Sequence, residues 1–102
     1  MSGGGDPRIE AIAATCRLLG DPTRLRVLLA CMDGPIAVGD IAARVGASQP
    51  LVSHHLRLLR GARLVRGERH QRHVLYATAD EHISRMLTDM IEHAGEEQAP
   101  PL

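Results

Sequence analysis

Apolar residues first recur at a helical interval. Ile9, Ile12, Ala13, Cys16 and Leu19 lie three or four positions apart, behind an Asp6-Pro7 start signal and ahead of Gly20. Asp21-Pro22 repeats the start, and Leu25, Leu28, Leu29 and Met32 make a second stripe that ends at Asp33-Gly34-Pro35. A short helix is predicted from about Gly39 to Val45, with Ile41, Ala42 and Val45 inward and Gly46 as its breaker. Ser48 is placed to cap the next helix, which runs to about Arg60 and directs Leu51, Val52, Leu56 and Leu59 inward. Pro50 falls in its first turn, where a missing N–H costs little. The period then changes to alternation. Leu64–Arg66 is a short strand, His73–Thr78 a better one, and the polar stretch Gly67–Arg72 between them suits a hairpin tip. From near Asp80 the helical period returns through Ile83, Met86, Leu87, Met90, Ile91 and Ala94. Two short helices joined by a glycine turn and followed by a basic hairpin predict a mainly α fold with a small β-hairpin, a winged helix-turn-helix. Residues 1–6 are expected to be a flexible N-terminus, 7–94 one winged helix-turn-helix domain, and 95–102 a flexible tail.

A chain of 102 residues is one domain's worth, too short for a typical barrel or doubly wound enzyme. Tyr76 is its one aromatic residue, so the core must be aliphatic. No apolar run is long enough to cross a membrane, and Met1–Gly5 has neither the basic start nor the apolar stretch of a signal peptide. Two cysteines, Cys16 and Cys31, do not make a disulfide framework, and a reducing cytosol is the expected compartment. The sequence offers no nucleophile–base arrangement and no metalloprotease motif, so an enzyme is not expected.

The formal charge is zero, from 12 Arg against 12 acids, but the charges are sorted. Residues 44–72 hold seven Arg and one acid, Glu68, whereas residues 73–102 hold one Arg and six acids. A basic middle is what a polyanion requires, because Arg displaces the counterions of phosphates. The second helix of a helix-turn-helix lies in the major groove. Setting aside its inward residues leaves Ser48, Gln49, Ser53, His54 and Arg57 outward, all competent for base or phosphate contacts. Arg69 and Arg72 at the hairpin tip are offered to backbone or minor groove. The partner these residues predict is double-stranded DNA.

Four stretches then carry a resemblance: Gly20-Asp21-Pro22-Thr23-Arg24-Leu25, Val38-Gly39-Asp40-Ile41-Ala42, the run from Ser48 to Arg57, and Arg72-His73-Val74-Leu75-Tyr76. Together they resemble the ArsR–SmtB family of bacterial metal-sensing regulators over about residues 7–96. The resemblance implies a homodimeric winged-helix protein of the bacterial cytoplasm that sits on an operator and leaves it when an inducer metal binds. It also implies a dimer interface built from the first and last helices, which suits their apolar stripes.

The last helix carries Asp80, His82, His93 and Glu96. His82 and His93 are eleven residues apart, so they share one face at a separation of about 16 Å, beyond the reach of one ion. Two such helices packed antiparallel across a two-fold axis bring the Asp80/His82 end of one to the His93/Glu96 end of the other, giving two equivalent sites. His93 and Glu96 are i,i+3 neighbours; Asp80 and His82 converge only if Asp80 stands at the helix start, before the backbone turns helical. Two imidazoles and two carboxylates suit a divalent transition metal, Zn(II) with Ni(II) or Co(II) as alternatives, and provide no thiolate for soft ions. The Asp-x-His-x10-His-x2-Glu spacing resembles the last-helix site of the family's zinc-sensing branch. The family's thiolate site around the short third helix has no counterpart here, where Ala37 and Val38 precede Gly39-Asp40. Nickel- and cobalt-sensing relatives usually add histidines further on. None follows His93, although Glu92, Glu97 or water can complete a six-coordinate nickel site. Asp89 shares the histidine face, as a surface residue or a support for the ligands.

His70 and His73 flank the hairpin tip and are expected in solvent; His55 either packs against the domain or touches DNA. Cys16 and Cys31 are expected as small buried hydrophobes, and a metal-independent or redox-responsive regulator using them is the alternative reading.

Overall fold

The computed structural model describes residues 5–96; residues 1–4 and 97–102, the outer parts of the two expected flexible ends, lie outside the described residues. Five helices and three strands run in the order α1 (Pro7–Leu19), α2 (Pro22–Ala30), β1 (Ile36–Ala37), α3 (Val38–Val45), α4 (Gln49–Gly61), β2 (Val65–His70), β3 (His73–Thr78) and α5 (Glu81–Gly95). A 3-10 turn at Cys31–Asp33 prolongs α2. The helix starts follow from the sequence. The Asp6 carboxylate accepts from the Arg8 N–H at 2.9 Å, and that of Asp21 accepts from Thr23 and Arg24 at 2.9 and 3.2 Å, each ahead of a proline that needs no partner. Gly46 closes α3 in the left-handed region, φ 72°, and its N–H reaches the Ala42 carbonyl.

The core is aliphatic. Val27, Leu28, Ile41, Val52, Leu56, Leu59 and Leu87 are almost wholly removed from water, drawn from α2, α3, α4 and α5. Each such side chain contributes about 1.5–3 kcal/mol of transfer free energy. The outer helices are held differently. No residue of α1 is buried, and α5 buries only Leu87. Ile9 and Ile12 on α1 and Met90 and Ile91 on α5 remain more than half exposed. Ile12 and Met90 line an apolar groove of about 290 Å³ together with Cys16, Leu19, Ile83 and Met86.

The strands form one antiparallel sheet, ordered β1-β3-β2. Strand β1 was not expected: two residues are too few to show alternation, and Ile36 and Ala37 are identified only by pairing with Tyr76 and Leu75. Strand β2 is longer than its apolar start at Val65 suggests. Gly67, Glu68, Arg69 and His70 all pair with β3, so the expected polar tip shrinks to Gln71 and Arg72 between the paired His70 and His73. Gln71 makes that turn with φ 56°. Polar side chains hid the strand because an exposed edge needs no apolar alternation.

Two expectations about burial are corrected. Leu51 was placed inward but is 42% exposed, because it lies at the margin of the inner face of α4, which Val52, His55, Leu56 and Leu59 make. Cys31 is buried as expected, whereas Cys16 is exposed, since it faces the open groove between α1 and α5 and not the core.

Candidate nucleic-acid interface and metal-ligand pairs

The turn from α3 to α4 fixes the reading helix. Gly46 reverses the chain, and the Ser48 hydroxyl accepts from the Leu51 N–H at 3.3 Å, satisfying one free donor of the first turn. With Val52, His55, Leu56 and Leu59 buried, the opposite face of α4 is left to Ser53, His54 and Arg57, all exposed as predicted. Ser48 and Gln49 are exposed at its start. Gln49 also leans on α3: a Cβ added at Gly39 would stand 3.3 Å from its Nε2. Gly39 thus lets the amide cross the first turn of α3.

Arg69 and Arg72 are exposed at the outer end of the hairpin. Of the seven arginines between 44 and 72, Arg44 is paired with Asp33 at 2.8 Å and Arg66 with Glu68 at 2.9 Å. Glu68 also lies 3.3 Å from His70 Nε2, so the one acid of this region is engaged twice. Arg57, Arg60, Arg63, Arg69 and Arg72 have no acidic partner among the described residues. Sequence reasoning missed one feature of this surface. Between α4 and the hairpin opens a polar cleft of about 490 Å³ lined by Ser53, Arg57, Arg60, Gly61 and Tyr76. Gly67 keeps the hairpin low beside it, since an added Cβ there would meet Val74, Tyr76 and the Arg60 guanidinium. Arg60 was passed over as the last residue of a helix. Its i,i+3 relation to Arg57 was the available signal.

The predicted metal ligands fall into two pairs. Asp80 is the N-cap of α5 with extended backbone, φ −161° and ψ 179°. Its Oδ1 accepts from the Ile83 N–H at 3.1 Å and lies 3.7 Å from His82 Nδ1. This is the geometry the i,i+2 spacing required. At the other end His93 Nδ1 is 3.7 Å from Glu96 Oε1, and Glu96 is the residue that ends the helix. All four side chains are exposed, His82 and His93 by about nine-tenths. The two pairs are not brought together within one chain: among the described residues no three possible ligands cluster. Asp89 is exposed and pairs with no cation among the described residues.

His55 is settled as an interior residue, 4% exposed, with its Nδ1 accepting from Arg24 Nε at 3.2 Å. Burial, and then the Arg24 charge, hold its pKa below the usual imidazole value. Burial also pushes the Cys31 thiol up to about 12, which leaves it protonated and unreactive at neutral pH. No helix among the described residues is long and apolar enough to cross a membrane.

Comparison with known proteins agrees with this geometry. Residues 21–66 match the family model "Bacterial regulatory protein, arsR family". The transcriptional regulator CmtR of Mycobacterium tuberculosis is 42% identical over 85 residues, spanning 83% of this chain and 72% of CmtR. Its solution structure, described as that of a cadmium metal-sensor, superposes with a TM-score of 0.70 at 38% identity, covering 88% of this chain and 95% of that one. The regulator NmtR of the same organism is 39% identical over 83 residues, 81% of this chain and 69% of NmtR. A homodimeric winged helix-turn-helix domain from Mycobacterium bovis shares the fold at a TM-score of 0.75 and 24% identity, over 96% of this chain and all of that one. The chain belongs to the ArsR family: it is a winged helix-turn-helix transcriptional regulator, and not an enzyme.

Proposed function

We propose that this chain works in the bacterial cytoplasm as a homodimer on operator DNA, with its affinity set by a divalent ion held between two copies of α5. Zn(II) is the ion the donors favour, with Ni(II) and Co(II) next. The observation that carries the reading is the placing of two open pairs, Asp80/His82 and His93/Glu96, at opposite ends of one helix. Neither pair satisfies a tetrahedral ion alone, and an antiparallel second copy supplies the complement. The uncovered Ile9, Ile12, Met90 and Ile91 give that copy an apolar surface to bury.

In this reading Ser48, Gln49, Ser53, His54 and Arg57 enter the major groove, while Arg69 and Arg72 reach backbone or minor groove. Half-sites are about 34 Å apart, so a metal that ties the two α5 helices changes the spacing of the reading helices and hence the fit. The coupling in such systems is about 1–3 kcal/mol and acts in both directions. The relative CmtR is described as a cadmium sensor. The donors proposed here hold no thiolate, so cadmium is the informative contrast. The redox alternative is less supported, because Cys31 is buried with its thiol held protonated.

The test is operator binding by fluorescence anisotropy, with Zn(II), Ni(II), Co(II) and Cd(II) titrated into wild type and His93→Ala. Zn(II) is expected to shift wild-type affinity by about 5–150-fold and to leave the variant unmoved. Unchanged affinity with every metal removes the switch.

A further inference from the structure

His55 is the one buried polar side chain among the described residues, and it sits on the inner face of the reading helix. Its partner is unusually placed. Arg24, in the first turn of α2, sends Nε to His55 Nδ1 and Nη1 to the Leu18 carbonyl at the end of α1, each at 3.2 Å. Its own N–H is held by the Asp21 carboxylate. One guanidinium thus joins the last turn of α1, the start of α2 and the core side of α4.

We propose that the Arg24–His55 contact is a strut that sets the pitch of α4 against α1 and α2, and that it holds only while His55 is neutral. It rests on the DNA-binding reading and is independent of the metal. The chemistry is restrictive. Arg can only donate, so Nδ1 must present a lone pair and the proton must sit on Nε2. A second proton would set two N–H groups and two positive charges against each other at that distance. The groups facing the ring are Arg24 from α2, Asp21 from the turn before it and His54 from its own helix; Arg24 and His54 oppose the charged form and Asp21 alone favours it. Burial opposes it as well. Acid therefore releases the strut. The reading helix keeps its aliphatic packing through Val52, Leu56 and Leu59 but loses its tie to α1.

The strut acts on how α4 meets base edges, so its loss lowers the preference for a specific duplex more than phosphate-driven binding. The test uses the full chain and two probes: a duplex enriched by the wild-type protein from a random-sequence pool, and an unselected duplex from the same pool. The ratio of the two affinities is measured from about pH 7.5 down to about pH 5. Wild type is expected to hold the ratio at neutral pH and to lose it as pH falls through the lowered titration of His55, by up to about tenfold for each unit below it. In His55→Asn the amide Oδ1 can take the place of Nδ1 without titrating, so the ratio should stay flat and near the neutral wild-type value. Arg24→Lys keeps the charge but cannot reach both acceptors, and should show a reduced ratio at every pH. A His55→Asn profile parallel to wild type, or an Arg24→Lys variant with full discrimination, overturns the proposal. Imidazole nitrogen shifts in the DNA-free protein give an independent check. A proton on Nδ1 at neutral pH overturns the strut whatever the DNA results, whereas a proton on Nε2 together with no duplex preference in wild type places the failure in the DNA reading.

Discussion

Leu51 and Leu56 stand five residues apart on one helix and have opposite fates, the first 42% and the second 2% exposed. Leu56→Ala is expected to cost about 2–5 kcal/mol in urea unfolding, and Leu51→Ala under about 1 kcal/mol, at matched protein concentration. Five residues on a helix are about 140° apart, so the two leucines do not share a face. The buried face also takes in His55, whose polarity argued for the outside while Arg24 supplied the partner that let it in. His55 also gives the fold a pH dependence. Its folded pKa is lowered, so the unfolded chain takes up a proton first as pH falls below about 6.5. Stability is full above that value and declines through the folded pKa. His55→Asn should flatten that decline below about pH 6.5 in denaturant melts. At Cys31 the expectation is chemical. In a Cys16→Ser background iodoacetamide should leave the native protein unmodified at neutral pH and label it only on unfolding.

Helices declared themselves through their ends more than their middles. Asp-Pro starts, Ser48 and Gly46 placed α1, α2, α3 and α4 to within a residue or so, because caps and left-handed turns are local chemistry. The sheet was less legible. Its third strand has two residues, and most of β2 is polar, so only pairing reveals them. Asp80 combines two local roles, capping α5 and standing beside His82. They can be pulled apart. Asp80→Asn should keep the cap and weaken Zn(II) binding, read by competition with a chelating dye. Asp80→Ala should weaken Zn(II) binding as well, and by removing the cap should also cost about 1 kcal/mol of stability. Equal zinc affinity in both variants and wild type would remove Asp80 from the ligand set.

At the scale of the molecule, charge and apolar surface are divided between elements. Arg57, Arg60, Arg63, Arg69 and Arg72, without acidic partners among the described residues, run from α4 to the hairpin, while α5 carries Glu81, Asp89 and Glu92 with the exposed Met90 and Ile91. The sequence showed this division as charge sorting, but it could not show that Arg60 shares a cleft with Ser53, Arg57 and Tyr76. Replacing Arg60 by Gln should weaken all duplexes alike and flatten the log–log salt dependence of binding by about 0.9, the share of one phosphate. The same positional logic applies to α5. Each metal site of the proposed dimer draws His82 from one subunit and His93 from the other, so two defective chains can complement each other. A mixed dimer of His82→Ala with His93→Ala loses both histidines from one site and keeps both in its twin. Mixing equal amounts of two variants that are each blind to zinc should therefore restore one site of the two in every mixed dimer, about a quarter of the total capacity after random exchange of subunits, an outcome that no site confined to a single chain can produce.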